Sequence, residues 1–132
     1  MVFDLEEPLK KIRESLDRQE EVREDLLDIS HKAIRKSSSA MAALHRDDRD
    51  EVSEKLSEVK GEIEKLNDIL DSDPHFSDHG ALIAAYREFS EVVITRALID
   101  GEELPDPDEM RVHYKGYAQA LPETIGELHR HV

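Results

Sequence analysis

Apolar residues recur at helical spacing along almost the whole chain. From Glu7 to His45 they fall every three or four residues, which predicts one long helix. At 1.5 Å per residue this helix would be on the order of 55 Å long. Such a helix is too long for a compact globular domain of 132 residues. The pattern therefore predicts an elongated bundle, with apolar surface left over for a homo-oligomer.

Three further helices are predicted after the first. The second runs from Arg49 to Leu70, the third from Ala81 to Ile99, and the fourth begins between Glu109 and Val112 and continues to the end of the chain. No stretch alternates like a β-strand. The fold class is therefore all-α, an elongated antiparallel helical bundle forming a single domain over residues 1–132. The second helix should pair with the first through a heptad seam of Val52, Leu56, Val59, Ile63, Leu66 and Leu70.

Paired acids stand beside small residues on the last two helices. Glu88 and Glu91 are three residues apart on the third helix, and Glu123 and Glu127 are four apart on the fourth. Two such faces could pack closely and bring four carboxylates together, which would then require a divalent cation. Oxygen ligands favour Mg²⁺ or Mn²⁺, and Mg²⁺ suits phosphoryl chemistry. The alternative is a solvated acidic face. The neighbouring small residues are Ala84, Thr95, Gly116 and Ala120.

The chain is strongly acidic throughout. It has 32 Asp and Glu against 18 Lys and Arg, a formal net charge of −14, with acids in every segment. This distribution is typical of halophilic proteins, in which concentrated salt screens self-repulsion, although an ordinary acidic surface is the alternative. Cysteine is absent, which excludes disulfides and zinc–thiolate sites. No membrane span or signal peptide is recognisable, so a cytoplasmic protein is expected.

Four stretches resemble one family in the same order along the chain. Ala43–Arg46 is similar to its Ile-His-Arg, and Arg87–Val92 to its Gln-Glu-Tyr-Val-Glu-Ala. Leu98–Pro105 is a glycine-containing turn followed by Leu-Pro, and Tyr117–Arg130 aligns without a gap, sharing Gly-Glu-Leu-x-Arg. The chain thus resembles the translin family, which includes translin and translin-associated factor X. The resemblance extends over the whole chain.

The resemblance implies a function as well as a fold. Family members are all-α, assemble into hollow octamer-like shells and bind single-stranded RNA or DNA, and the nuclease members are Mg²⁺-dependent endoribonucleases. Their acidic site corresponds here to Glu88, Glu91, Glu123 and Glu127, as both metal ligands and catalytic residues. Glu123 stands where nuclease members have Asp, and the neighbouring Pro122 replaces a small residue.

Family members also continue for several helices beyond the point where this chain stops. The resemblance therefore implies that the C-terminal part of the family domain is absent. The apolar stripes of the third and fourth helices should then be exposed or covered by self-association. On the fourth helix that stripe comprises Tyr117, Leu121, Ile125, Leu128 and Val132.

A basic group on the first helix is the predicted contact for nucleic acid. Lys and Arg neutralise phosphates, and histidines can assist them. Three alternatives remain open: a protein that binds RNA or single-stranded DNA without cleavage, a MazG-type nucleotide pyrophosphohydrolase with paired acids on two helices, and a purely structural helical adaptor. The predicted nucleic-acid-binding residues are His31, Lys32, Arg35, Lys36, His45 and Arg46.

Overall fold

The computed structural model describes residues 3–131, and within that range every regular element is helical. The prediction of an all-α, elongated antiparallel bundle with a long first helix is confirmed. The elements are α1 (Glu6–His45), α2 (Arg49–Ser72), a 3₁₀ turn (Pro74–Phe76), α3 (Gly80–Ile99), α4 (Pro107–Met110) and α5 (Tyr114–His131).

A tight turn folds α2 back along α1. Asp47 adopts the left-handed conformation at φ 60°, which Asp tolerates better than most residues. The Asp48 carboxylate then caps α2 by accepting a hydrogen bond from the backbone N–H of Glu51 at 3.2 Å. The predicted seam of α2 is buried from Val52 to Leu66. The α1–α2 hairpin therefore forms as its heptad spacing predicts.

The core lies where the second half of α1 meets α2 and α3. Leu26, Leu44, Tyr86 and Phe89 are among the largest side chains buried there. At the far end of the hairpin, the Arg18 guanidinium pairs with the buried Asp73 carboxylate at 3.2 Å. Beyond this pair α1 continues alone, and every residue from position 3 to position 20 is exposed.

The expectation of an exposed apolar stripe on the third helix is wrong. Leu82, Tyr86, Phe89 and Ala97 are all buried, because α1 and α2 cover that face of α3. The stripe of α5 is exposed only in part. Leu121 and Ile125 are 42% and 61% accessible, whereas Tyr117 and Leu128 are half-buried, and Val132 lies outside the described residues. None of the helices in residues 3–131 combines the length and apolar character needed to cross a bilayer.

The predicted fourth helix is in fact two helices, so its predicted start is wrong. The four-residue α4 ends at Met110, and the next residue, Arg111, takes the left-handed conformation at φ 57°. The Asn67 side-chain amide donates a hydrogen bond to the Arg111 carbonyl at 3.0 Å and holds the break in place. After it α5 begins at Tyr114 and runs without interruption through Pro122.

The position of α5 depends on Gly116. A Cβ at that residue would lie 2.6 Å from the Tyr86 Cβ and 3.2 Å from both the Arg87 nitrogen and the Ile83 carbonyl oxygen. The small face of α5 continues with buried Ala120 and Thr124, so the two helices stay close. Contacts between α3 and α5 advance in the same direction along both helices, so these two helices run parallel to each other.

Substitution of Gly116 tests this packing. Gly116→Ala should destabilise the protein by about 1–3 kcal/mol, because the new methyl group meets Cβ and backbone atoms that cannot easily yield. Gly126→Ala is the matched control in the same helix. Nothing lies within 4 Å of its added Cβ, so it should stabilise by up to about 1 kcal/mol through helix propensity. Thermal unfolding followed by circular dichroism measures both, and equal shifts would contradict the close contact.

Candidate functional site

Four carboxylates line one open pocket between α3 and α5. Its volume is about 630 Å³, and Glu88, Glu91, Glu123 and Glu127 all border it. Spacings of three and four residues direct each pair to one side of its helix. Because small residues hold the helices close together, the two pairs border the same space. We call this site the acid pocket, and its remaining lining residues are Arg87, Gln119, Pro122 and Arg130.

Glu91 is the most buried of the four acids. Its side chain is only 10% exposed, and that burial raises the pKa of Glu91 to about 7. The nearby charges of Glu88, Glu123 and Glu127 raise the pKa further, whereas Arg87 opposes them. Glu91 is therefore partly protonated near neutral pH. The acid pocket carries more negative charge than its own surroundings neutralise.

Two arginines on the rim partly neutralise the acids. Arg87 Nη2 lies 3.6 Å from Glu88 Oε1, and Arg87 Nε lies 4.0 Å from Glu91 Oε1. Arg130 forms an ion pair with Glu127 from one turn further along α5. Sequence reasoning missed both arginines. Their i,i+4 and i,i+3 spacings from Glu91 and Glu127 were a signal that could have found them.

His45 reaches the acid pocket from the end of α1. Its Nε2 atom lies 2.7 Å from Glu127 Oε2, and its ring centroid is 5.8 Å from that of His131. Within residues 3–131, the buried Nδ1 atom of His45 has no hydrogen-bond partner. His45 was expected to contact nucleic acid. The structure adds a contact with Glu127 that no local spacing could reveal, because 82 residues separate them.

Most of the other predicted basic residues already have acidic partners. Lys32 pairs with Asp28 at 3.1 Å, and Arg46 pairs with Glu51 at 2.7 Å. Lys36 lies 3.2 Å from Glu62, which is 5% exposed. Lys36 is therefore part of the α1–α2 packing as well as of the basic group.

His31 and Arg35 are exposed, and neither has a carboxylate within 4.0 Å in the described part of the chain. Their positions share one side of α1 with Ser38, Ala42 and His45, at successive spacings of four, three, four and three residues. The end of this side borders the acid pocket, because His45 contacts Glu127. We call His31, Arg35 and His45 the basic stripe.

The donor set suits a hard divalent cation, although the acids are not already arranged as a cage. Within residues 3–131, no three or more His, Asp or Glu side chains form a ready-made metal-binding group. Three of the carboxylates instead contact Arg87, Arg130 or His45. Four carboxylates with an excess of negative charge nevertheless offer the oxygen ligands that Mg²⁺ and Mn²⁺ prefer.

The chain has relatives in sequence and in structure, although no protein-family model matches it. It is 31% identical over 113 residues to an uncharacterized protein of Methanocaldococcus jannaschii, MJ0175. That match includes 84% of this chain but 50% of MJ0175, so the chain spans about half the length of this relative.

The crystal structure of apo-NeC3PO superposes on this protein with a TM-score of 0.83. The match covers 93% of this chain and 65% of that chain, at 20% sequence identity. The fold is of the translin type. In this translin-type bundle, the acid pocket lies between α3 and α5, beside the C-terminal end of α1.

The pKa of Glu91 predicts a pH-dependent stability for the metal-free protein. Because its folded-state value of about 7 exceeds the ordinary 4.5, Glu91 favours the fold when protonated and opposes it when ionised. Stability should therefore fall as pH rises from 4.5 through 7. Glu91→Gln should remove this dependence and exceed wild type at pH 8 by on the order of 3 kcal/mol.

Urea unfolding with EDTA at several pH values measures the difference. The advantage of Glu91→Gln should shrink towards pH 5, where the wild-type carboxyl is protonated in the folded protein. Glu21→Gln, on an exposed face of α1, is the control and should match wild type at every pH. A constant difference between Glu91→Gln and wild type across the range would contradict the raised pKa.

Proposed function

We propose that this protein binds single-stranded RNA and cleaves it in a Mg²⁺- or Mn²⁺-dependent endoribonuclease reaction at the acid pocket. The observation that carries the proposal is the convergence of four carboxylates on one pocket, with Glu91 buried among like charges. A cation relieves that repulsion, and a phosphodiester is the substrate class that such a cation suits. The translin-type fold supports the same conclusion.

Each side chain has a role that follows from its position. When bound, the metal supplies charge neutralisation at the phosphate and acidifies water. Glu88 and Glu123 offer carboxylate oxygens on the two sides of the pocket, and His45 orients Glu127 from α1. Glu91, with a pKa of about 7, can accept a proton near neutral pH, as a general base must.

RNA has a plausible approach along the basic stripe. Arg35 and His31 offer cationic or hydrogen-bonding groups with no carboxylate within 4.0 Å among residues 3–131, and the stripe ends at the acid pocket. Phosphate contacts of this kind do not depend on base sequence, and they weaken as salt rises. Single-stranded DNA would meet the same groups.

A binding-only protein is the second candidate, and one specific observation favours it. Three of the four acids already have internal partners: Arg87 for Glu88 and Glu91, and Arg130 together with the His45 ring for Glu127. A pocket that is partly neutralised in this way has less need of a metal ion. RNA would then bind along the basic stripe without being cut.

Glutamine substitutions test the proposed chemistry. Glu91→Gln or Glu127→Gln should lower Mg²⁺-dependent cleavage of a single-stranded RNA by at least about 100-fold, because the proton acceptor or a ligand charge is lost while the side-chain shape is kept. The double variant should be hardly worse than either single variant, because the acids act as one unit. Gel analysis of a labelled RNA measures cleavage, with EDTA and Glu21→Gln as controls.

RNA affinity, measured separately, should stay unchanged in these variants. If wild type cleaves and the Gln variants at all four acids cleave equally well, the acid pocket is not the active site. Wild type that binds RNA but never cuts it would support the binding-only candidate.

A second experiment tests the path of the RNA. Lys32→Gln/Arg35→Gln should weaken binding of single-stranded RNA and make the slope of log affinity against log salt shallower by about 0.7 to 1.4. Each phosphate contact contributes about 0.7. Arg35 supplies one, and Lys32 supplies a second where a phosphate displaces its exposed partner Asp28. Fluorescence anisotropy at several KCl concentrations measures both quantities. Lys60→Gln/Lys115→Gln removes the same charge from exposed sites elsewhere and should change the slope little.

Lys36 is left unchanged, because its loss would unpair the buried Glu62 carboxylate and confuse stability with binding. Equal slopes for the two double variants would place the RNA path away from this part of α1.

A further inference from the structure

The first turns of α1 carry a regular apolar stripe with no partner in the described chain. Leu5, Leu9, Ile12 and Leu16 are spaced by four, three and four residues, and each is between 54% and 61% exposed. We call them the N-terminal seam. After exposed polar residues at Gln19 and Arg23, the same alternation of four and three resumes in the buried half of α1, at Leu26, Ser30, Ala33, Ser37, Ala40 and Leu44.

The N-terminal seam therefore lies on the face of α1 that packs against α2 and α3 further along the helix, and it extends beyond the ends of those two helices. The hairpin partner α2 ends at Ser72, and the Arg18–Asp73 pair marks that level on α1. An isolated helix as short as this segment would be marginal in water. Here the segment extends a helix that the core already holds, so an interface can form without an ordering cost.

We propose that the N-terminal seam is the interface of a two-fold symmetric homodimer, in which α1 of one chain packs antiparallel against α1 of a second copy. In that register Leu9 of one chain faces Ile12 of the second copy, and Leu5 faces Leu16. Every apolar residue then meets another, as alternating layers of an antiparallel coiled coil require. The two-fold axis crosses the pair of helices at the level between Lys10 and Lys11.

The charges that flank the N-terminal seam fit this arrangement. Glu6 and Arg13 lie beside the seam on the same edge, and neither has an oppositely charged side chain within 4.0 Å in the described chain. The antiparallel register brings Glu6 of each chain to Arg13 of the other, twice by symmetry. The opposite edge carries Pro8 and Ser15, which are short and uncharged.

A parallel arrangement of the two α1 helices would not pair these charged residues. It would place Arg13 beside Pro8, and Ser15 beside Glu20, so no ion pair would form across the interface. The flanking charges therefore favour the antiparallel dimer.

The dimer leaves the acid pocket open. Leu16 and His45 are 29 residues apart on one helix, which corresponds to about 44 Å along its axis. The inference is therefore independent of the proposed nuclease activity, and either could fail without the other.

Sedimentation of the intact protein tests the interface, over a concentration series and at a KCl concentration where circular dichroism shows the native helix content. Ile12→Asp places a charge in the middle of the N-terminal seam and should abolish this association. Because Ile12 is exposed in the single chain, helix content and thermal unfolding of the monomer should not change. The proposal is overturned if wild type stays monomeric at the highest concentration, or if Ile12→Asp sediments like wild type.

A charge swap tests the register. Arg13→Glu should weaken association by about tenfold, because it opposes Glu6 of the second copy with a like charge at two places. Glu6→Arg/Arg13→Glu should restore the affinity to about the wild-type value, and the differences should shrink as salt rises. Lys10→Glu makes the same charge change off the seam and is the matched control. A double variant no tighter than Arg13→Glu would overturn the antiparallel register.

Cross-linking gives an independent measure of direction, because the chain has no cysteine of its own. A mixture of Leu9→Cys and Ile12→Cys proteins should form the mixed disulfide dimer on mild oxidation, in preference to either symmetric dimer. Preferential symmetric dimers would instead indicate parallel helices and overturn the proposal.

Discussion

The absence of a side chain at Gly116 controls how closely α5 can approach α3, and the acid pocket depends on that approach. With Ala120 and Thr124 continuing the small face, the two helices meet almost backbone to backbone. The glutamates beside this line then share one space. The same closeness that collects the carboxylates also buries Glu91, so its raised pKa is a direct result of the packing. A bulkier residue at position 116 would separate the helices and weaken both effects.

The acid pocket is flanked by two arginines and a histidine that come from three separate places. Arg87 lies on α3, Arg130 in the last turns of α5, and His45 at the end of α1. These groups limit the repulsion among the acids in the free protein. Any cation that enters the pocket must compete with them. The affinity for a metal ion would therefore depend on residues that are not ligands, and His45 would link that affinity to the position of α1.

Local patterns in the sequence were enough to predict most of the fold. The heptad spacing of α2 identified the hairpin, and the combination of small residues with paired acids identified the faces that meet in the acid pocket. Features that depend on tertiary contacts were not predictable in this way. The break at Arg111 requires a left-handed residue held by Asn67, which lies 44 residues earlier. The contact of His45 with Glu127 likewise arises only once α1 and α5 are placed together.

The continuity of α1 fixes the angular relation between its two ends. One uninterrupted helix joins the exposed Leu16 to His45 at the acid pocket, so the two side chains keep a constant rotation about the helix axis. Inserting or deleting a single residue between them would turn one end by about 100° relative to the other. A change of seven residues, by contrast, would leave the two ends within about 20° of their present relation. The length of α1 can therefore vary by close to a whole number of turns, as in a heptad, while both surfaces keep their orientation, whereas a change of one or two residues would sacrifice one of them.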